Sequence, residues 1–303
     1  MAFVDLIFAA RPMLHLPIWS IFLAALHYHH ALSGGTFGGQ NLLMLTCLSL
    51  LAAGACYLNQ VYDADSDRLN NKCHFLQRGL VSERALMTGF AVTSIVAMVL
   101  SLTVSLLAFF ICLQLLALGY VYSAPPLRLK DRPIGGLMSN AYGIGFLVTF
   151  AAFPEMRVHN AGLLGWDNPF YFFCAVGGIY ILTCVTDQYG DAMTGKRTIA
   201  VISGFRVSMA LALLMMLVAG LAALKSGFFV LLGLAIIASA AIVVAWVRKS
   251  DANVRLAAKL PIVLLTLMAG WYYPWYLVFI VVLVVSVRIY YDKRLGIRYP
   301  ELA

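Results

Sequence analysis

The chain has 303 residues, 62% of them hydrophobic and only 11% charged, with a net charge of +8 and a mean hydropathy of +0.89. A soluble domain of this length needs far more charge to cover its surface, so the composition excludes a soluble enzyme and implies a polytopic membrane protein. The basic residues sit in loops between apolar runs, where they signal topology and not nucleic-acid binding.

About 20 apolar residues cross a bilayer, and uncharged stretches of that length, cut at glycine, proline and charge clusters, predict ten spans. The first runs from about Met13 to Leu32, after Arg11 and Pro12, with no cleavable leader expected ahead of it. His27, His29 and His30 fall at its far end and are expected to be wetted interfacial residues, not metal ligands. The second span runs from about Asn41 into "NQVYDADSD", and no charge lies between Arg84 and Arg128, enough chain for a third and fourth helix packed as a hairpin. Gln114 in the fourth is expected to bond across helices.

The fifth span lies between Ile134 and Pro154, with Asn140 near one end, and the sixth between Pro169 and Thr186. Lys225 to Gly227 separate the seventh and eighth. The uncharged stretch from Lys259 to Val287 is too long for one span, and "GWYYPW" inside it predicts an interfacial turn, giving ten helices where one long final span would give nine. With ten, 19 of the 21 Lys and Arg share the side of both termini, and only Arg157 and Lys225 fall opposite. The positive-inside rule makes that side cytoplasmic. The six cysteines are scattered singly without a C-x-x-C pair and read as packing residues.

Two acidic motifs stand out. Asn59, Asp63 and Asp67 are spaced by four at the end of the second span, so on a helix they share one face, each about 6 Å further along the axis. Asp187 and Asp191, also spaced by four, end the sixth span 124 residues later. The repeat suggests a four-helix pseudo-repeat, and if the halves pack side by side the four carboxylates would converge on one cavity. At the negative end of a helix such charges need a cation. Hard oxygen ligands with room for phosphate oxygens suit Mg²⁺. Arg68, Lys72 and Arg78 follow the first motif, Lys196 and Arg197 the second, and "YSAPPLRLKDRP" brings Arg128 and Lys130 between them. Carboxylates for a metal beside cations for oxyanions indicate a diphosphate. A calcium loop is excluded, because Arg68 and His74 stand where its glycine and final glutamate belong.

These residues resemble the UbiA superfamily of intramembrane prenyltransferases, which carries N-x-x-x-D-x-x-x-D after the second helix and D-x-x-x-D after the sixth. The likeness extends to Arg11-Pro12 before the first helix, to "YSAPPLRLK" with Tyr122, Ser123, Arg128 and Lys130, and to "GKRT" after the second motif. The first loop departs from the family's pattern, with His74 or Arg78 where a base of an "RPL" element is usual.

The resemblance implies an all-α bundle of nine or ten helices around a central cavity, forming one prenyltransferase domain over residues 1–303. Asp63, Asp67, Asp187 and Asp191, with Asn59, would hold Mg²⁺ on the diphosphate of a prenyl donor. Arg68, Lys72, Arg78, Arg128, Lys130, Lys196 and Arg197 would neutralise the rest, and Tyr122, Ser123 and Asn140 would line the substrate site. An allylic cation would then meet a hydrophobic or aromatic acceptor, such as a quinone precursor, a chlorin, a haem or a glycerol-phosphate lipid. A cyclase of the same fold, or a transporter using the acidic pairs to bind a cation, are the competing readings.

Overall fold

The computed structural model describes residues 2–64, 67, 75–153 and 167–300, and among these every regular element is helical. Ten stretches among the described residues are long and apolar enough to span a membrane. In chain order the α-helices are α1 (Ala2–Ala9), α2 (Leu16–Ser33), α3 (Gly39–Tyr62), α4 (Glu83–Val104), α5 (Leu106–Ser123) and α6 (Pro133–Ala151). There follow α7 (Asp167–Thr186), the short α8 (Gln188–Met193), α9 (Ile199–Lys225), α10 (Phe229–Arg248), α11 (Asp251–Tyr272) and α12 (Pro274–Leu295). The chain is an integral, multi-pass membrane protein, and the two-helix reading of its C-terminal apolar stretch holds.

Local chemistry sets the helix ends. α2 stops at Gly34, whose φ of 74° lets its N–H turn back to the His30 carbonyl at 2.8 Å. Ser82 and Ser105 cap α4 and α5, accepting from Ala85 N and Ala108 N at 3.2 and 3.0 Å. Ser105 is also the single extended residue joining the expected hairpin. Tyr273 breaks the last apolar stretch, and Pro274 starts α12 with its fixed φ.

Two elements escape a reading by span length. α1 is too short to cross a bilayer and carries Asp5, which looks like a solvated tail until Arg294, 289 positions away, is seen to neutralise it. α6 is α-helical over Pro133–Asn140 and then widens into a π-helix over Ala141–Leu147. Such widenings accompany functional sites and rotate the residues beside them. Here the irregular turn stands against α7 with backbone close to backbone: a Cβ built on Gly145 would lie 2.5 Å from the Phe172 carbonyl oxygen.

Small residues let the helices approach, as expected where lipid offers no hydrophobic driving force. Gly178 of α7 faces the Ala212 carbonyl of α9, with Ala219 and Ala223 buried further along α9. Cys47, Cys112, Cys174 and Cys184 are buried free thiols; Cys73 lies outside the described residues. Gln114 accepts a 2.7 Å hydrogen bond from Tyr142, joining α5 to α6. His27 stacks on Tyr272 and His29 meets the edge of Phe153, so both rings pack against aromatic neighbours.

Candidate active site

The first acidic motif keeps its helical register past the end of α3. Asp63 has φ −102° and ψ 4°, yet its N–H still bonds Asn59 O at 2.9 Å, and Asp67 N bonds Asp63 O at 2.7 Å. The second motif repeats this: Asp187 has φ −97° and ψ 2°, its N–H bonds Thr183 O, and Asp191 N bonds Asp187 O at 2.9 Å. One backbone turn thus presents both carboxylate pairs. Their surroundings differ, because Asp63 is buried whereas Asp187 is exposed.

Asp63 is the centre of a polar cluster. Lys130 Nζ donates to its Oδ1 at 2.6 Å, Asn59 Nδ2 to its Oδ2 at 2.9 Å, and Arg128 Nη2 stands 3.4 Å away. Asn59 also reaches Ser123 Oγ at 3.5 Å. Burial pulls the Lys130 ammonium below the usual lysine value, and the Asp63 charge pulls it back. Arg128 adopts a left-handed backbone, φ 40° and ψ 60°, ahead of a 3₁₀ turn over Leu129–Asp131 that swings Lys130 inward. Arg11 does the same at φ 51° and ψ 58°, ahead of the 3₁₀ turn Pro12–His15, and its Nη2 lies 3.6 Å from Asp67. Each half of the bundle therefore begins with a left-handed arginine aimed at the first motif.

At the second motif Lys196 Nζ lies 3.5 Å from Asp191 Oδ1, and Arg197 is exposed. The Arg197 N–H bonds the Asp131 carbonyl at 3.0 Å, which fastens this loop to the arm carrying Arg128 and Lys130. Tyr122 links the halves within the bundle: its hydroxyl lies against Asn140 and in the electrostatic field of Asp63, while Tyr180 of α7 interacts with both Tyr122 and Asp191. The close approach of Tyr180 depends on Gly136, where a Cβ would collide with the Tyr180 hydroxyl.

Below the polar cluster lies an apolar cavity of about 350 Å³ between α2, α3, α5 and α6, with Arg11, Asn59, Tyr122, Ser123 and Asn140 in its wall. A second chamber of about 330 Å³ lies under Tyr180 and Thr183, and Leu14, Asn140 and Ile144 border both.

Of the site residues read from sequence, Asn59, Asp63, Ser123, Arg128 and Lys130 thus come together directly, with Tyr122 and Asn140 beside them. Arg78 points away and donates to the Leu295 carbonyl at 2.6 Å. Arg68 and Lys72 lie outside the described residues. Among the described residues no three His, Cys, Asp or Glu side chains form a ready-made metal cluster, so the two acidic pairs are described separately. Lys130 and Arg128 are counter-ions of Asp63, and Arg11 of Asp67. Two contributors were missed, Asp131, which grips Arg128 Nε at 2.8 Å, and Tyr180. The spacing of Asp131 three residues after Arg128 was the available signal for the first.

The carboxylates fit a divalent cation of the hard, oxygen-seeking kind. Mg²⁺ typically takes one or two carboxylates and completes its shell with water and substrate phosphate, which a pair such as Asp63 and Asp67 or Asp187 and Asp191 suits.

Comparison with known proteins bears on the family and the fold. The model of the UbiA prenyltransferase family matches residues 14–261. The chain is 30% identical over 176 residues to 2-acylphloroglucinol 4-prenyltransferase, chloroplastic, of Humulus lupulus, covering 52% of this chain and 41% of that protein. It is 27% identical over 181 residues to the digeranylgeranylglyceryl phosphate synthase of Methanoculleus marisnigri, covering 58% and 62%. The chain thus spans less than two thirds of the lengths of these curated relatives. Its fold is similar to that of a UbiA homolog from Archaeoglobus fulgidus bound to GPP and Mg²⁺, with a TM-score of 0.65 at 19% identity, covering 88% of this chain and 99% of that one. A UbiA homolog from Aeropyrum pernix K1 gives 0.66 at 18%, covering 84% and 95%.

Proposed function

Because the chain belongs to the UbiA prenyltransferase family, we propose that it transfers a prenyl group from a prenyl diphosphate to an aromatic or lipid acceptor within the membrane, releasing pyrophosphate. The observation that carries this reading is Asp63, buried among Lys130, Arg128 and Asn59 at the wall of an apolar cavity. A buried carboxylate already paired with cations is poised for exchange. The carboxylates would hold the metal of a metal-bound diphosphate, and the ammonium and guanidinium groups its phosphate oxygens, so that no buried charge would be left unpaired.

Asp63 and Asp67 would hold one Mg²⁺ and Asp187 and Asp191 another, and the metal would supply charge neutralisation that makes pyrophosphate a good leaving group. Lys130, Arg128, Arg11 and Lys196 bind the diphosphate oxygens where negative charge grows as the C–O bond breaks. Asn59 fixes the orientation of Asp63 through its amide. Tyr122 presents an aromatic face at the boundary between polar cluster and cavity, where an allylic cation would form. The apolar cavity takes the prenyl tail and keeps water from the cation. The distribution of Lys and Arg supports a cytoplasmic position for the basic rim that carries these groups.

Purified protein in detergent or vesicles, supplied with Mg²⁺, a series of prenyl diphosphates and a panel of aromatic and glycerol-phosphate acceptors, tests the proposal by pyrophosphate release and mass spectrometry of products. Prenylated acceptor supports it. Cation flux into vesicles without pyrophosphate release would support a transporter instead, and a cyclised hydrocarbon without acceptor would support a cyclase.

A further inference from the structure

α12 lies wholly beyond residue 261, where the family match ends. Its last turns nevertheless grip both segments that flank the first acidic motif. On one side Arg294 holds Asp5 of α1 in a two-point ion pair, Nε to Oδ1 at 3.0 Å and Nη2 to Oδ2 at 2.8 Å, and Asp5 is only 1% exposed. Tyr290 donates to the same carboxylate, and its ring stacks on Phe8 with centroids 3.8 Å apart. On the other side Phe75, fully buried, packs between Tyr290 and Tyr291, and Arg78 donates to the Leu295 carbonyl.

What α1 carries explains why this grip matters. Two residues past its end stands Arg11, in a left-handed backbone that disfavours every residue but glycine and is kept only where the surroundings fix it. Tyr57 and Gln60 of α3 bond the Leu6 and Ala9 carbonyls at 3.0 and 2.7 Å, holding α1 from the bundle side. α12 holds it from outside. Arg11 lines the cavity and faces Asp67, so an α1 free to shift would carry the guanidinium away from the site.

We propose that α12 is a clamp closed by the Asp5–Arg294 pair, and that these two residues are positioning residues for Arg11 and, through it, for binding of the donor diphosphate. The inference rests on the reading of the site as a prenyl diphosphate site. Removing an outer-shell partner of a metal ligand typically costs about ten- to a hundredfold in affinity, and a comparable scale is expected for the groups that orient Arg11.

The test is calorimetric binding of geranyl S-thiolodiphosphate, an unreactive donor analogue, to the full-length protein in detergent with Mg²⁺. Binding by the wild type that requires Mg²⁺ upholds the site; its absence defeats the diphosphate reading itself and leaves the clamp to be judged by hydrogen exchange alone. Where the wild type binds, Arg294→Met is expected to weaken binding about tenfold, as is Arg11→Met, and the double variant to be no weaker than Arg11→Met, because both act through one guanidinium. Exchange of the backbone amides over residues 3–11 should quicken in Arg294→Met. Asp5→Asn, which keeps the shape and the Tyr290 contact, serves if Arg294→Met fails to fold, and the swap Asp5→Arg with Arg294→Asp should recover affinity. Wild-type affinity in Arg294→Met and Asp5→Asn, or losses that multiply in the double variant, would overturn the clamp, as would unchanged amide exchange.

Discussion

Lys130 and Asp63, 67 positions apart, meet at 2.6 Å with both side chains almost removed from solvent. Removing one member of a buried pair leaves the other charge uncompensated, a larger loss than the pair's own net contribution. Arg128 at 3.4 Å supplies partial compensation for Asp63, so Lys130→Met should still fold. Its donor-dependent pyrophosphate release should fall by about a hundredfold, the scale of a lost group that stabilises developing charge. Lys130→Arg should retain more activity than Lys130→Met. Asp63→Asn, which keeps the amide-to-oxygen contact with Asn59 but not the charge, should lose activity to a similar degree. Chromatographic homogeneity and helical circular dichroism separate these effects from misfolding.

Gly136 and Tyr180 yield a second expectation. A methyl group at 136 would overlap the Tyr180 hydroxyl and come within 3.0 Å of its Cζ. Gly136→Ala must therefore displace either α6, which brings Asn140 to the cavity, or Tyr180, which connects Tyr122 with Asp191. Activity should fall, and adding Tyr180→Phe should return part of it by deleting the atom that clashes hardest. The double-mutant cycle should show a coupling of about 0.5–3 kcal/mol, as for residues in contact. Independent effects of the two substitutions would refute the packing argument.

How much of this was legible in the sequence depended on the range of the interaction. Span positions and the hairpin of α4 and α5, though not its turn at Ser105, follow from local hydropathy. The 124-residue spacing suggested a four-helix pseudo-repeat, and the backbones of Asp63 and Asp187 are alike. Arg128 and Lys130 could be nominated because they lie between the motifs. What stayed hidden depended on contacts distant in sequence. Nothing near Asp5 announces Arg294, and Arg78 follows the first motif as a phosphate ligand would but instead caps the last carbonyl of α12. The π-turn after Asn140 was equally invisible, because a widened helix has no residue signature distinct from "AYGIGFL" as ordinary apolar chain.

That π-turn supplies a stability prediction. Gly145 approaches Phe172 through backbone atoms, the carbonyl oxygen at 2.5 Å and the Phe173 Cα at 2.8 Å from where a Cβ would stand, and backbone cannot rotate aside as a side chain can. Gly145→Ala should separate α6 from α7 and lower the thermal stability of the detergent-solubilised protein. At Gly233 of α10 a methyl group would find nothing within 4 Å, so Gly233→Ala should leave stability unchanged or raise it slightly. Equal melting of the two variants would show that the α6–α7 contact yields more easily than its geometry implies.

The final expectation concerns which donors the cavity accepts. Gly119 of α5 and Ala55 of α3 face each other in its wall, where a Cβ on Gly119 would sit 3.5 Å from that of Ala55, an ordinary contact that alanine would satisfy. A larger side chain at this position, which lines the cavity, takes up its apolar space. Gly119→Leu should therefore remove room for distal isoprene units while leaving the polar cluster around Asp63 intact. The ratio of kcat/KM for geranylgeranyl diphosphate to that for dimethylallyl diphosphate should fall by at least about tenfold, consistent with about 1–3 kcal/mol for apolar groups that no longer fit. Gly119→Ala should leave the ratio unchanged. A loss of equal size for both donors would mean that the substitution disturbs the diphosphate end, and that the prenyl tail lies elsewhere, for example in the chamber of similar volume under Tyr180 and Thr183.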